Sequence, residues 1–165
     1  MPQGNNVRQD MTNETLTLVP LRAADDTIYE FDHGRIPTKL FDIVADASGT
    51  TVGGITLRYS DNQYLNLYRG HSGFTIDEAH RRHGYATAAL IQVMRIAREI
   101  GLARIVVTCR EDNTASEKTI CRAGLFYEAT VDVPAETYLW KHGIKRVKRF
   151  CKRLEEDPAQ SGPRD

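Results

Sequence analysis

The chain lacks net charge. Its 22 lysines and arginines balance 22 aspartates and glutamates over 165 residues, so no global field steers it toward nucleic acid or an anionic membrane. It lacks an apolar run of membrane-spanning length, and Met1–Asn6 has no signal-peptide apolar stretch. Cysteine is scarce. Cys109, Cys121 and Cys151 form no C-x-x-C pair, so neither a zinc site nor a redox motif is indicated, and the expectation is three reduced thiols in a cytoplasmic protein with no metal. Internal repeats are absent. Two phosphate-binding patterns are missing as well. No Gly-Lys-Ser/Thr follows a four-residue gap, and no glycine-rich dinucleotide fingerprint occurs.

What is present suffices for one domain. Hydrophobic residues make up 41% of the chain, enough for a core at this length. A flexible N-terminus is expected over residues 1–12, one domain over 13–153, and a disordered tail over 154–165, where Pro158, Ser161, Gly162 and Pro163 lie among charges.

The densest chemical signal is Arg81-Arg82-His83-Gly84-Tyr85-Ala86. Gly73–Ile76 before it reads as a strand. After it, Ala86, Ala89, Leu90, Val93, Ala97 and Ile100 recur at helical spacing, and Gly101 suits a left-handed C-cap. A strand turning through a glycine into a helix N-terminus makes an anion cradle, because the first N–H groups have no helical partner and the dipole favours negative charge. Gly84 leaves the backbone open to a phosphate, and the arginines add forked donors.

Downstream, Ile105–Val107 reads as a buried strand. Asn113 and Thr114 offer N-caps, with Thr114 and Glu117 spaced as a capping box, for a helix that stops at Gly124. Leu125–Val131 reads as the next strand. Upstream, Thr15–Val19 suits an edge strand, and Ala23–Phe31 a short helix or helical turn. Lys39–Ala45 and Thr50–Tyr59 form a hairpin around Asp46–Gly49. Gly53-Gly54 marks a bulge or a close backbone approach. Tyr64–Ile76 is then expected to run on into the strand before the cradle.

Arg81-x-x-Gly84-x-Ala86 resembles the acetyl-CoA signature Q/R-x-x-G-x-G/A of the GCN5-related N-acetyltransferases (GNAT). The element order, and Asn113 and Ser116 before a second helix, resemble the same family. Gly70–Phe74, Arg82–Thr87 and Thr108–Ser116 are similar to a group of bacterial predicted acetyltransferases of undefined substrate, over roughly residues 12–152. The resemblance implies an α/β (α+β) fold. Its sheet would be mixed and mostly antiparallel, of six to seven strands, splayed between the fourth and fifth and flanked by helices.

It also implies acetyl-CoA as cofactor and an N-acetyltransferase that passes acetyl directly to an amine of a small molecule or a protein. By this likeness, backbone groups of Phe74, Thr75 and Ile76 would bind the pantetheine arm. N–H groups of Arg82, His83, Gly84, Tyr85, Ala86 and Thr87 would hold the pyrophosphate, with Arg81 at the loop entry. Asn113 and Ser116 would lie near the cofactor, and Asn113 also reads as a plain N-cap.

An ordinary ammonium is neutral in about one molecule in a few thousand at neutral pH, so a general base helps. His71, upstream on the cofactor strand, is the candidate base; its other reading is a half-buried strand histidine. Ser72 alternates to the opposite face from His71. The family's usual acid, a tyrosine seven residues after the Asn, is replaced here by Ile120. Tyr127 is the substitute candidate, against its reading as a core aromatic. Cys109 reads as a strand-end thiol.

Lys141–Arg153 is dense in positive charge. Ile144, Val147, Phe150, Cys151 and Leu154 fit one helical face, while Val147–Phe150 resembles the family's last strand, with His142-Gly143 as a hairpin turn; the strand is preferred. The run reads as a solvated face, an acidic-partner surface or a 3′-phosphate contact. No aromatic-interleaved basic surface recommends nucleic acid. The alternative function is a non-catalytic acyl-CoA-binding module with an acidic partner at this basic end. Acceptor identity, acyl length and oligomeric state stay open, although relatives often form homodimers through the last strands.

Overall fold

The computed structural model describes residues 16–21, 27–30 and 34–154. The expectations for residues 1–12 and for the tail beyond Leu154 lie outside these. Leu154 itself is buried in the main core rather than belonging to a tail.

Eight strands and three helices form among the described residues. The strands are β1 (Leu16–Pro20), β2 (Thr27–Glu30), β3 (Gly34–Ala45), β4 (Thr50–Arg58), β5 (Ser72–Ile76), β6 (Arg104–Arg110), β7 (Phe126–Asp132) and β8 (Arg146–Arg153). The helices are α1 (Tyr85–Ile100), α2 (Thr114–Arg122) and the single turn α3 (Tyr138–Lys141). The sheet order is β1-β3-β4-β5-β6-β8-β7, with β2 paired to β3. Every pairing is antiparallel except β5 with β6. This is the expected mixed sheet. The splay falls between β5 and β6, the fourth and fifth strands along the sheet, as expected. Thr27–Glu30 pairs with Gly34–Pro37 as an additional strand where a short helix or helical turn was expected; the residues flanking it are outside those described.

Local sequence explains the sheet's first half. The β3–β4 hairpin turns at Gly49, whose φ of 68° is open to glycine at little cost. Gly53 meets the expectation of a close approach: a Cβ there would lie 2.1 Å from the Thr75 carbonyl oxygen. The register shifts between Ile43 and Val44 across from it, which is the bulge.

α1 buries Ala88, Ala89, Leu90, Val93, Met94 and Ala97 against the sheet and ends at Gly101 in the left-handed conformation. Each large apolar side chain so buried contributes about 1.5–3 kcal/mol. Val147 and Phe150 on β8 have opposite strand parity and belong to different cores. Phe150 joins the α1 core, and Val147 joins Val133 and Leu139 on the other side.

Three further expectations are corrected. Tyr64–Ile76 is not one continuous strand, because a π-helical turn at Leu65–Arg69 precedes β5. That turn closes with the Gly70 N–H donating to the Leu65 carbonyl at 2.8 Å. His142-Gly143 is not a hairpin turn but the end of α3, which Thr137 caps. Thr114 and Glu117 form no capping box. Asn113 is the N-cap, its Oδ1 accepting from the Ser116 N–H at 3.1 Å, and Glu117 instead accepts from Lys148 Nζ at 2.8 Å.

Candidate functional site

The centre of the fold is the junction of β5 and β6. Their parallel pairing consists of one register pair, Ser72 with Val107, whereas β5 pairs with β4 over Ser72–Ile76. Beyond Ser72 the other edge of β5 therefore leaves its ladder with β6. His71 fixes where the separation begins. Its N–H donates to the Val106 carbonyl at 2.6 Å, and the Val106 N–H donates to His71 Nδ1 at 2.8 Å. One residue thus satisfies both backbone groups of Val106. Gly70 permits this contact, because a Cβ there would sit 3.0–3.3 Å from the β6 backbone. Thr108 Oγ1 adds a bond to the Tyr68 carbonyl at 2.9 Å and ties the π-helical turn to β6.

A cavity of about 180 Å³ opens at this junction. Ser72, Gly73 and Phe74 of β5 form one wall, and Thr108, Cys109 and Arg110 of β6 the other. Asn113 and Ser116 contribute from the start of α2, and Leu139, Ile144 and Val147 supply apolar surface. Arg58 and Arg69 complete the lining, which contains no carboxylate and no imidazole among the described residues. Arg58 is 6% exposed and donates from Nη1 to the Gly70 carbonyl at 3.3 Å. Arg69 lies 5.2 Å from the Tyr138 ring centroid. The Ser72 hydroxyl is buried, with the residue 2% exposed, and has no hydrogen-bond partner. Buried hydroxyls are seldom left so.

The α1 N-terminus lies beyond the far end of β5. Gly84 caps it in the left-handed conformation with no side-chain cap, so N–H groups of Tyr85, Ala86 and Thr87 have no intrahelical acceptor. Arg82 also has a positive φ of 67°, a conformation uncommon for a side chain of that size. Arg81 is anchored through Nε to the Ile76 carbonyl at 3.0 Å. Arg81, Arg82 and His83 are exposed. These features fit a pyrophosphate, and the open β5 edge fits an extended amide-bearing arm.

The structure brings Phe74, Asn113 and Ser116 together at the cavity and sets Arg81–Thr87 apart from it, joined by Thr75 and Ile76. The two acid–base candidates are not in the cavity lining. His71 is 1% exposed, with Nδ1 committed to Val106 and a further backbone hydrogen bond to Ser60. Burial, reinforced by Arg104 and Arg58, lowers its pKa from 6.5. Tyr127 lies on the outer strand β7, 57% exposed, bonded to Thr130 Oγ1 and packed edge-on against Phe150. Its other reading, a strand aromatic packing on the core, agrees with its contact on Phe150. Ser72, Arg58 and Arg69 were missed by sequence reasoning; only the strand alternation setting Ser72 opposite His71 pointed that way. Cys109 is buried, and desolvation with Glu117 nearby pushes its thiol up to about 11.

The basic C-terminal run is matched from within. Arg146 pairs with Glu111 at 2.7 Å and Asp132 at 3.0 Å, Lys148 with Glu117, and Arg149 with Glu128 at 2.9 Å. No helix among the described residues is long and apolar enough to cross a membrane.

A family model described as an acetyltransferase (GNAT) domain matches residues 31–125, more than half of the chain. The chain belongs to the GNAT family. No curated protein gives a significant sequence match. Solved GNAT structures similar to this chain include the microcin C7 self-immunity acetyltransferase MccE in complex with acetyl-CoA and AMP. It has 17% identity, a TM-score of 0.55, and covers 70% of this chain and 61% of that one. The ribosomal-protein-S5-alanine acetyltransferase of Vibrio fischeri has 17% identity and a TM-score of 0.58, covering 72% and 63%. Mycobacterium smegmatis RimJ, in complex with CoA-disulfide, has 22% identity and a TM-score of 0.56, covering 73% and 55%. This GNAT chain thus spans less than two thirds of each of these relatives, and the likeness establishes the fold.

Proposed function

We infer that this GNAT chain is an acetyl-CoA-dependent N-acetyltransferase. The observation that carries the reading is the β5–β6 junction, where a single register pair opens directly into a cavity. Several structural neighbours carry acetyl-CoA or CoA species, which supports the same cofactor here. Its thioester supplies the activated acetyl group.

The chain's own residues divide the work. N–H groups at the start of α1 hold the pyrophosphate, aided by Arg81 and Arg82. The free edge of Gly73–Ile76 holds the pantetheine arm as an added strand. Asn113 caps α2 through Oδ1 and keeps its side-chain N–H groups for the arm's amide. Proton removal from the acceptor is left to solvent, since neither His71 nor Tyr127 lines the cavity. The guanidiniums there favour a neutral amine over an ammonium. The ion pairs of Arg146, Lys148 and Arg149 count against an acidic-partner module. Three free cysteines suit a reducing cytoplasm.

The test is thermal unfolding with acetyl-CoA, followed by acetyl transfer to an amine panel. At about 100 times its dissociation constant, acetyl-CoA stabilises by about 2.7 kcal/mol, which raises Tm by about 5–10 °C for a domain of this size. No shift at millimolar acetyl-CoA defeats the reading. A shift without transfer to any amine supports the binding module instead.

A further inference from the structure

The cavity is bordered by cations. Three arginines line it, Arg58, Arg69 and Arg110, without an aspartate or glutamate among the described lining residues. Arg110 pairs with Asp112 at 3.3 Å; Arg58 and Arg69 are the other two cations of the lining. Arg58 is nearly buried, and a buried guanidinium is retained where it meets backbone oxygens and anions. Both arginines make contacts elsewhere in the fold. Each guanidinium carries five N–H donors in a planar fork, so an internal contact and a ligand oxygen are compatible. Beside them sits the Ser72 hydroxyl, buried and without a partner. A hydroxyl in that state awaits an oxygen or nitrogen from a ligand.

We propose that Arg58, Arg69 and Ser72 form a carboxylate-binding subsite, so that the acceptor is a small amine carrying its own carboxylate, an amino acid or close analogue. This rests on the acetyltransferase reading above. The planar fork matches a carboxylate better than a point charge does. The cavity of about 180 Å³ has room for a carboxylate at the end where Arg58, Arg69 and Ser72 meet. Phe74, Leu139 and Ile144 offer the acceptor's carbon skeleton an apolar wall. The amine reacts as the free base. The reaction balances: the thioester C–S bond breaks, an amide C–N bond forms, and the proton lost by nitrogen is returned through solvent to the CoA sulfur.

The experiment compares matched acceptors: each common amino acid, its carboxamide, and the amine lacking the carboxyl group. Thiol release from acetyl-CoA and product mass are followed on the full chain. At least one free amino acid is expected to exceed its carboxamide in kcat/KM by about 10–100-fold, the range of a charge-assisted hydrogen bond. The Arg69→Gln variant is expected to lower that ratio about tenfold or more, and Arg69→Lys to restore part of it. A merely structural role would lower the rates on acid and amide alike, and thermal unfolding checks that each variant folds. Ser72→Ala is a milder second probe, lowering the same ratio about threefold to tenfold. Equal rates on acids and amides overturn the proposal, as does transfer only to acidic peptides or only to uncharged amines. Calorimetry with acetyl-CoA separates the two levels. Binding without transfer to any amino acid overturns the proposal alone, whereas no binding overturns the acetyltransferase reading itself.

Discussion

Replacing His71 by leucine separates a structural from a catalytic histidine. In the native chain Nδ1 accepts from the Val106 N–H at 2.8 Å inside the core. Leucine leaves that N–H buried without an acceptor, which costs about 1–3 kcal/mol. Loss of the Ser60 bond adds up to about 1 kcal/mol more. With a urea slope of about 2 kcal/mol/M, the unfolding midpoint falls by about 0.5–2 M.

The pH dependence gives a second reading from the same assay. Burial lowers the folded-state pKa of His71 below its unfolded value of 6.5. The unfolded chain therefore binds this proton first as pH falls. The native protein loses stability below pH 6.5, and the loss stops once pH is under the folded-state value. His71→Leu lacks that component, so the difference between native and variant midpoints narrows as pH falls from 7.5 to 5.5. Urea titrations followed by circular dichroism at four pH values measure both effects. An unchanged midpoint at pH 7.5 together with a loss of transfer of 100-fold or more would refute the reasoning and return His71 to the role of base.

Three other outcomes follow from the same structure. Gly53→Ala places a Cβ 2.1 Å from a backbone oxygen that cannot swing away, so stability falls by about 2 kcal/mol or more, read as a drop in Tm of about 4–8 °C. With iodoacetamide at pH 8, exposed Cys121 alkylates first and Cys109 last, since a thiol at about 11 is only about 0.1% thiolate there; peptide mass spectrometry gives the order, and early Cys109 labelling contradicts the burial. For an acceptor whose amine titrates near 9–10, kcat/KM rises with pH along a single limb that follows the amine's own titration. An enzyme inflection between pH 5.5 and 7.5 that persists in kcat at saturating acceptor would place a base outside the described lining.

Most of the sheet and the caps around Gly84 and Asn113 were legible in the sequence, because they rest on local signals. Gly84 before a helical apolar period, Gly101 after it, and Asn113 three residues before Ser116 are cap and turn chemistry, set by neighbours within one turn. The hairpin at Asp46–Gly49 is of the same kind. The cavity was not legible, because it is assembled from distant segments. Arg58 ends β4, Arg69 ends a π-helical turn, and Leu139 lies in α3. No spacing rule links them. His71 is a related case: the partner of its Nδ1, the Val106 N–H 35 residues away, comes into view only with the fold. The basic run shows the converse. Its charge stands out in the chain, but Glu111, Glu117, Glu128 and Asp132 answer it only after folding.

The central claim is that acetyl-CoA lies across the free edge of β5 and the N-terminus of α1. Titration of ¹⁵N-labelled protein with acetyl-CoA, followed by amide chemical shifts, tests it directly. The account predicts the largest changes at Gly73–Ile76, Gly84–Thr87 and Asn113, saturating together. Saturable binding with those amides unmoved, and changes gathered instead on β7 or on the outer face of β8, would contradict it.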